Sequence, residues 1–396
     1  MQYSDRANAI APFFAMAFGE KATALENQGH NVIRLNIGEP DFGAPPAVQQ
    51  AMQQAVAENQ LPYTGALGDM RLREAIAGFY QTQHSISINP NRVIVTAGAS
   101  AALLLTCAAL VNPGDEVLMG DPSYPCNRQF VKTFGGKVNL VATDASSQFQ
   151  LNNELVSTHW NANTKALMIA TPSNPTGTAV TLDELDKMCA FAREQQAWRI
   201  IDEIYLDLSD HTPGPARSVL AVDDGAIVIN SFSKFFGMTG WRLGWMIVPD
   251  DMVPVIERLA QNLYICPSTP AQLAALACFT PDTLALCEER RLSLLTRRNI
   301  VLNGLEKAGL TVPVAPSGAF YVYIDVASTG LSSMAFCEQL LSDTGVALTP
   351  GNDFGDKDAD RYVRLSYATS EQNLHEGLAR IQSFTASLSQ DTTGNI

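Results

Sequence analysis

The chain has 396 residues, of which 46% are hydrophobic and 17% are charged, a balance typical of globular domains and not of disordered chains. Asp and Glu number 40 against 26 Lys and Arg, so the formal net charge is −14. This acidity disfavours binding to nucleic acid or to an anionic membrane surface, because both recruit basic faces. At roughly 150 residues per domain, the length predicts two or three domains.

Near the N-terminus lies a short apolar segment, AIAPFFAMAFGEKATAL, that leads directly into charged residues. We interpret it as an amphipathic helix and not as a signal peptide, because no well-placed cleavage site follows it. No apolar run reaches the ~18 residues that a membrane helix needs. The 7 cysteines are scattered without a C-x-x-C pair, which indicates buried thiols in a reducing cytoplasm.

Short β-branched strands then alternate with longer helical patterns. The strands are predicted at RVIVTA, EVLMG, KVNLVAT, ALMIAT, RIIDE, AIVINS and LGWMIVP. Because these runs are continuously apolar and helices separate them, they predict an α/β fold with a mostly parallel central sheet flanked by helices. We expect this large domain to span residues 46–285.

The pattern changes after about residue 270, where long, densely charged helical segments lead to GAFYVYIDV. That run alternates as a half-exposed strand does. A helix at SSMAFCEQLLSD, a strand at RYVRLSYA and a last helix at EQNLHEGLARIQSFTASL follow. These elements predict a smaller α+β domain made of residues 1–45 and 286–396, because the large sheet starts only after residue 45.

Motifs that mark several other classes of protein are missing from the sequence. The 5 histidines are too widely spaced for local metal ligation, so we expect no metal site. Neither a P-loop nor a G-x-G-x-x-G after a strand occurs, which disfavours nucleotide binding of either kind. There is also no G-x-S-x-G nucleophile elbow.

Polar residues follow the predicted strands, where ligands of open parallel sheets bind. Lys234 lies in SFSKFFGMTGWRLGW, among phenylalanines and after a buried strand. A single lysine is usually a solvated surface charge, but burial and nearby positive charge lower the pKa of an ammonium from ~10.4. The neutral amine then attacks a carbonyl to form a Schiff base. The pattern S-x-S-K followed by G-x-x-G-W-R-x-G is far more specific than a lone lysine.

Three features of the same strand ends are typical of a phosphate site. Gly98, Ala99 and Ser100 open a helix, where free N–H groups and the helix dipole attract anions. Small residues begin many helices, so this signal is weak alone. Ser231 adds a hydroxyl and Arg242 a bidentate cation, and the three together favour a phosphate ligand.

Asp202 ends an isoleucine-rich strand, where a carboxylate is either a helix cap or the partner of a charge. The pyridinium nitrogen of pyridoxal phosphate is a partner that would also explain Lys234, because an acidic residue keeps that nitrogen protonated. Asn174 and Tyr205 are then candidates for the cofactor's 3′-oxygen, and Tyr124 for its ring face. A turn asparagine, a core tyrosine and a loop tyrosine remain as structural interpretations.

Arg364 sits in the middle of the predicted strand RYVRLSYA among apolar residues. A buried arginine needs a carboxylate partner. That partner is either an internal acidic residue or the α-carboxylate of a substrate, which a planar guanidinium grips in two places.

In this combination of motifs the chain resembles the class I/II pyridoxal-phosphate-dependent aminotransferases of fold type I, the aspartate aminotransferase superfamily. The resemblance extends from about residue 33 to about residue 370. The matching pieces are LNIGEPDF, YTGALGDMRLREAIA, VTAGASAAL, DPSYP, TPSNPTGTA, DEIYLDL, SFSKFFGMTGWRLGW, PSGAFYVYIDV and VRLSYA.

The resemblance implies an aminotransferase (EC 2.6.1.-) that moves an amino group from an α-amino acid to a 2-oxo acid through a Lys234 aldimine and pyridoxamine phosphate. It implies a cytoplasmic enzyme of amino acid metabolism that forms a homodimer, in which Tyr63 reaches the phosphate in the neighbouring subunit. The implied roles are Asp202 on the pyridinium, Asn174 and Tyr205 on the 3′-oxygen, Tyr124 on the ring, Ala99, Ser100, Ser231 and Arg242 on the phosphate, and Gly38, Asn174 and Arg364 around the substrate α-carboxylate. Lys234, Asp202 and Tyr205 form the catalytic set.

Some alternatives stay open at this point. A pyridoxal-phosphate-dependent C–S β-lyase would use the same lysine and cofactor and differ only in its leaving group. A regulator's effector domain or an oxidoreductase lacks support, because there is no basic DNA-binding module and no glycine fingerprint. Strict aspartate specificity is not implied, because AALLLTCAALV and CPSTPAQLAAL carry no charge. Arg128 is either a surface residue or a substitute cation for dicarboxylic substrates.

Overall fold

The computed structural model describes residues 2–10, 14–59, 61–211 and 214–393. Among these residues the α-helices are α1 (Asp5–Ala9), α2 (Phe14–Asn27), α3 (Pro46–Glu58), α4 (Met70–Gln83), α5 (Ala99–Leu110), α6 (Pro125–Thr133), α7 (Asn153–His159), α8 (Leu182–Glu194), α9 (Val253–Leu263), α10 (Thr269–Ala275), α11 (Pro281–Lys307), α12 (Ser333–Thr344) and α13 (Glu371–Thr393). The strands are β1 (Ile33–Arg34), β2 (Val93–Thr96), β3 (Glu116–Asp121), β4 (Lys137–Ala142), β5 (Thr164–Ala170), β6 (Trp198–Asp202), β7 (Ile227–Ser231), β8 (Gly244–Ile247), β9 (Tyr321–Asp325), β10 (Val346–Ala347), β11 (Thr349–Pro350) and β12 (Tyr362–Ser366).

The central sheet has seven strands in the order β2-β8-β7-β6-β5-β3-β4. The neighbours from β4 to β7 pair in parallel, whereas β8 runs antiparallel to both β2 and β7. The prediction of a mostly parallel α/β sheet is confirmed. Each run of β-branched residues predicted as a strand of this sheet forms one, with ends that differ by one or two residues.

Helices cover both faces of the central sheet, which explains why its strands show no polar alternation. Val93 and Val95 of β2 pack into one apolar cluster, and Ile94 between them packs into the other. Leu118 of β3 and its neighbour Val117 divide in the same way. Since both faces of each strand are removed from water, each position favours an apolar side chain.

Two small sheets lie outside the central one. Strands β11, β12 and β9 form an antiparallel sheet, and β1 pairs in parallel with β10, so that Ile33 lies opposite Val346. The N-terminal segment therefore packs with the C-terminal elements. The domain boundaries at residues 45/46 and 285/286 stay a prediction, and the second of them falls within α11.

The expectation that GAFYVYIDV is half-exposed is wrong, because all five residues of β9 are buried. Tyr321, Val322 and Ile324 belong to the large core, and Tyr323 packs into a separate aromatic cluster with Phe354. Both faces of the strand are therefore covered by other side chains.

The predicted N-terminal helix corresponds to α2, and residues 11–13 of that segment lie outside the described residues. Within the described part of the chain, no helix is both long and apolar enough to cross a membrane. The cysteines are free thiols, and five of them are buried: Cys107, Cys189, Cys278, Cys287 and Cys337.

Asp223 ties helix α8 and strand β6 together from the loop that precedes β7. Its carboxylate accepts hydrogen bonds from Arg199 Nε at 2.7 Å and Nη2 at 3.0 Å, and lies 3.0 Å from Arg193 Nη1. Burial alone would raise the pKa of this carboxyl, but the two guanidinium groups outweigh burial and leave its pKa below the usual range. Because each charge compensates the other, loss of one partner would leave an uncompensated charge in the interior.

We expect Asp223→Ala to destabilise the fold by ~3 kcal/mol, because it leaves the guanidinium of Arg199 buried without its partner. The free energy of unfolding in urea measures this loss. Because folding depresses the pKa of Asp223, its contribution is present above the unfolded pKa of ~3.9 and is lost as the pH falls below it. Asp183→Ala, which removes an exposed ion pair on α8, is the control and should change little. Equal effects of the two substitutions would contradict the prediction.

Candidate active site

A cavity of about 220 Å³ lies at the carboxyl ends of β5, β6 and β7 and the N-terminus of α5. These strands end at the same edge of the sheet. Ala170 of β5 pairs with Asp202 of β6, and Asp202 pairs with Ile229 of β7. The cavity brings together nine of the predicted residues, which are Ala99, Ser100, Tyr124, Asn174, Asp202, Tyr205, Ser231, Lys234 and Arg242. Residues that the sequence analysis did not single out complete its lining: Glu39, Leu103, Ala170, Ile204, Ser233 and Thr239.

Lys234 follows strand β7 and places its amine inside this cavity. Its Nζ donates to the backbone oxygen of Gly38 at 2.5 Å and lies 5.6 Å from the ring centre of Tyr205 and 5.7 Å from that of Phe320. Burial lowers the pKa of this amine to about 8, and the positive charges of nearby arginines add to the effect. A substantial fraction of the amine is therefore neutral near physiological pH.

Asp202 is the last residue of β6 and is 5% exposed. Its Oδ1 accepts the backbone N–H of Ile204 at 3.1 Å. Burial raises the pKa of this carboxyl to about 6, while Lys234 counteracts part of the rise. At neutral pH the side chain is mostly ionised, so the cavity holds a buried negative charge that can pair with a cationic ligand group.

The N-terminus of α5 forms a narrow cradle next to this pair. Gly98 precedes the helix at φ 85°, and a Cβ there would lie 2.6 Å from Nη2 of Arg242. A Cβ on Gly244 would lie 2.9 Å from the carbonyl carbon of Gly98. Ser231, at the end of β7, brings a hydroxyl to the same place. Helix N–H groups, a hydroxyl and a guanidinium in a space that only glycines leave open suit a phosphate group.

Two tyrosines are joined at one side of the cavity. The hydroxyls of Tyr205 and Tyr321 lie 2.8 Å apart, and their rings meet edge to face. Tyr321 was missed by the sequence analysis, although it stands in the GAFYVYIDV segment quoted for the resemblance. A Cβ on Gly38 would lie 3.0 Å from the hydroxyl of Tyr321, so this glycine permits the close approach.

Arg364, in the middle of β12, is 2% exposed. Its Nη1 donates to Oδ1 of Asn174 at 2.8 Å, and its Nη2 donates to the backbone oxygen of Asn36 at 2.7 Å. The guanidinium lies over the ring of Tyr321 at 4.6 Å. Among the described residues Arg364 forms no salt bridge and its Nε has no partner. The internal ion pair that its burial could have indicated is therefore not the reason for its position.

Gly38 and Arg364 line a second cavity of about 640 Å³, between α2 and β12. It adjoins the first, because Glu39, Tyr124 and Asn174 border both. The predicted site residues thus fall into one group around Lys234 and one around Arg364, with Asn174 between them.

Two residues lie apart from these cavities. Tyr63 is 78% exposed and borders neither of them. Arg128 also borders neither, and its Nη2 donates to the backbone oxygen of Asp353 at 2.9 Å. The half-buried guanidinium of Arg128 therefore contacts the backbone of another segment and lines neither cavity.

The sequence matches the family model described as "Aminotransferase class I and II" over residues 30–381. It is 35% identical to a valine–pyruvate aminotransferase of Mycobacterium tuberculosis, covering 96% of this chain and 97% of the relative. It is also 35% identical to an aspartate/prephenate aminotransferase of Thermus thermophilus, covering 95% and 97%. Among solved structures, an aminotransferase from Mycobacterium tuberculosis has a TM-score of 0.94 at 35% identity, covering 98% of this chain and 100% of that one. Aspartate aminotransferase from Thermus thermophilus with maleate has a TM-score of 0.91 at 34% identity, covering 97% and 99%.

A parallel-sheet fold with a buried amine, a buried carboxylate and an anion cradle at its strand ends is that of a pyridoxal-phosphate-dependent enzyme. The chain belongs to the class I and II aminotransferases. It is accordingly a pyridoxal-phosphate-dependent aminotransferase that acts on amino and 2-oxo acids, and the comparisons give no support to the alternative of a C–S β-lyase.

The lowered pKa of Lys234 leads to a prediction for the protein freed of cofactor. In competitive acetylation over a pH series, Lys234 should react with a midpoint of about 8. An unperturbed lysine should follow its ordinary pKa of ~10.4. Mass spectrometry of the labelled peptides follows Lys234, with a short unstructured lysine peptide added as the reference. A midpoint for Lys234 close to that of the reference peptide would show that burial does not neutralise the amine.

Proposed function

We propose that Lys234 is the residue that holds pyridoxal phosphate and moves the proton during transamination. The observation that carries this proposal is an amine of lowered pKa in one cavity with a buried carboxylate and an anion cradle. When bound, the cofactor supplies an aldehyde for amine capture and a protonated ring that withdraws electrons from the substrate.

The residues present fit each part of that cofactor. The cradle of Ala99, Ser100, Ser231 and Arg242 takes the phosphate, because it offers N–H groups, a hydroxyl and a cation. Asp202 takes the ring nitrogen, since its carboxylate is ionised at neutral pH and lies deep in the cavity. Three residues on the cavity walls would make the remaining contacts with the cofactor. Asn174 and Tyr205 would contact its 3′-oxygen, and Tyr124 would contact the face of its ring.

Arg364 is proposed to bind the α-carboxylate that every substrate shares. Its Nε is buried and without a partner in the described part of the chain, so it has a donor to offer. Asn174 and Gly38 border the same cavity as Arg364. A guanidinium held by Asn174 and by a backbone oxygen has little rotational freedom, which fixes the carboxylate and with it the α C–H bond.

The free amine of Lys234 then acts as the base that removes the α-proton. The neutral fraction of this amine would take the proton from the α-carbon of a bound substrate, and the resulting ammonium would return it to a neighbouring atom. Its pKa of about 8 suits both directions, because the group is neither a strong acid nor a strong base near neutral pH.

We further propose a homodimer with shared active sites, in which Tyr63 reaches the phosphate of the partner subunit. Three large side chains are exposed in this region: Tyr63 at 78%, Leu263 at 60% and Ile265 at 51%. Thr269 donates to the backbone oxygen of Pro62 at 2.6 Å, which joins the segment around Tyr63 to the segment that follows α9. Exposed apolar side chains on adjoining segments favour contact with another protein surface.

We also propose that the enzyme is cytoplasmic and acts in amino acid metabolism. It is supported by free cysteines, most of which are buried, as is typical of a reducing compartment. The relatives are named for different substrates: one for valine and pyruvate, another for aspartate and prephenate. Their names alone therefore identify no amino donor for this chain.

Replacing the base tests the proposal directly. Lys234→Ala should lower transamination by ~10³-fold or more while the fold is kept, because no other amine occupies its place. Borohydride reduction of the wild-type holoenzyme should fix the cofactor to the peptide that contains Lys234, as mass spectrometry would show. Lys187→Ala, on the outer surface of α8, is the matched control and should retain full activity. A cofactor label on a different lysine would refute the assignment.

A further inference from the structure

Helix α2 forms one wall of the cavity around Arg364. The apolar residues of this helix on the cavity lining are Ala15, Met16, Gly19 and Ala24, and Ile37 adds a further apolar side chain. Thr23 and Asn27 of the same helix add two neutral polar side chains. The apolar groups offer a substrate dispersion contacts, and the two neutral polar groups carry no charge to pair with a second carboxylate. The lining of this wall therefore favours an uncharged substrate side chain.

Apart from Arg364, the cation that borders this cavity is Arg34, and its donors are already in use. Its Nε and Nη2 donate to the Glu26 carboxylate at 2.9 and 2.7 Å. Its Nη1 donates to the backbone oxygen of Gly19 at 3.2 Å, and Nη2 also donates to Thr23. The charge of Arg34, on β1, is thus neutralised by Glu26 of α2 and not directed at a ligand.

The remaining charges on the cavity lining are acidic. Glu20 on α2 and Glu39 at the junction of the two cavities both border it. Thr239 donates a hydrogen bond to the carboxylate of Glu39. Both glutamates are exposed, and a second substrate carboxylate near them would be repelled by like charge.

From this arrangement we infer that the enzyme selects amino and 2-oxo acids with uncharged, largely apolar side chains and disfavours dicarboxylic ones. The inference rests on the proposed role of Arg364, because that role leaves one arginine for one carboxylate. Selection against acidic substrates then comes from the two glutamates and from a lining that, among the described residues of this subunit, offers no free second cation.

Leucine and aspartate provide the sharpest comparison, because they branch at the same carbon and differ mainly in charge. In single-turnover mixing with the holoenzyme, followed by cofactor absorbance, kcat/KM for leucine should exceed that for aspartate by ~10-fold or more. Asparagine, neutral and similar in shape to aspartate, should fall between them. Aspartate within ~10-fold of leucine would overturn the inference. If no amino acid changed the absorbance, the proposed function itself would fail.

Binding without turnover gives a second readout. The α-methyl derivatives of leucine and aspartate have no α-proton to lose, so calorimetric titration reports affinity alone. We expect tighter binding of the leucine derivative, and equal affinities would contradict the inference.

The pairing of Arg34 can be tested by substitution. Glu26→Gln removes the charge that neutralises Arg34, and it should raise kcat/KM for aspartate several-fold relative to leucine. Glu58→Gln on α3, whose carboxylate accepts a hydrogen bond from Gln54 on the same helix, is the matched control. An unchanged ratio in Glu26→Gln would refute the role given to this ion pair.

A separate observation concerns how α2 is held in place. Both oxygens of the Asp353 carboxylate accept backbone N–H groups at the start of this helix, from Phe14 and Ala15, each at 2.9 Å. Asp353 is 4% exposed and lies 339 residues from Phe14 in the sequence. The first N–H groups of a helix have no partner within the helix, and a negative charge there also favours the helix dipole.

Asp353 also joins α2 to the elements that hold Arg364. It comes shortly after strand β11, whose Thr349 accepts a hydrogen bond from Arg364 at 3.3 Å. Its backbone oxygen accepts the hydrogen bond from Arg128 on α6. The structure assigns Asp353 the part of a positioning residue, which sets the distance between the α2 wall and the guanidinium of Arg364.

Asp353→Ala should raise KM for leucine several-fold with a smaller change in kcat, because the wall is loosened while Lys234 is untouched. Hydrogen exchange of the α2 amides should become roughly 10-fold faster in the same variant. Asp353→Asn keeps one acceptor oxygen and should give intermediate values. Asp144→Ala removes a carboxylate that caps a different, exposed turn and serves as control.

Two outcomes would overturn the role of Asp353. One is unchanged exchange in α2, which would show that the cap does not hold the helix. The other is faster exchange with KM unaltered, which would leave Asp353 a purely structural residue.

Discussion

The site depends on a buried amine and a buried carboxylate that are close enough to influence each other but are not paired. Lys234 Nζ donates to a neutral backbone oxygen, and the hydrogen bond that Asp202 accepts comes from a backbone N–H. Desolvation therefore outweighs mutual attraction, and the pKa of the amine falls while that of the carboxyl rises. A direct ion pair would have done the reverse and would have satisfied both groups. Keeping them apart leaves each available to a third group.

The antiparallel strand β8 explains how an anion cradle comes to lie beside these two residues. Inserted between β2 and β7, it places Gly244 opposite Ser231 on one side and Thr96 on the other. Gly244 therefore lies between Ser231 at the end of β7 and Gly98 and Ala99 at the start of α5. A side chain on Gly244 would meet Gly98 and Ala99, so the spacing of two strands and the absence of a Cβ together open the cradle.

The sequence allowed prediction of those parts of the fold and the cavity that local patterns encode. The strands of the large sheet, and the polar residues directly after them, are specified by neighbouring residues and meet because parallel strands end at one edge. Contacts between distant segments left no such pattern. Tyr321 joins Tyr205 across 116 residues, and Asp353 reaches the start of α2 from near the other end of the chain. The aromatic cover over Tyr323 likewise comes from several segments, which is why β9 looked half-exposed.

The two cavities differ in how firmly their walls are built. Around Lys234, two of the functional groups, Asp202 and Ser231, are the last residues of buried strands, and Lys234 follows one of these strands closely, so shifting them disturbs the core. The wall opposite Arg364 is one helix that presents small side chains and is fixed by a carboxylate at its start and by an arginine along its length. Under the roles proposed for Lys234 and Arg364, substitutions on α2 would alter what lies next to the substrate side chain without moving the amine, the carboxylate or the cradle. Reaction chemistry and side-chain preference would then be carried by separate parts of the molecule, and Arg364 and Asn174 would serve both.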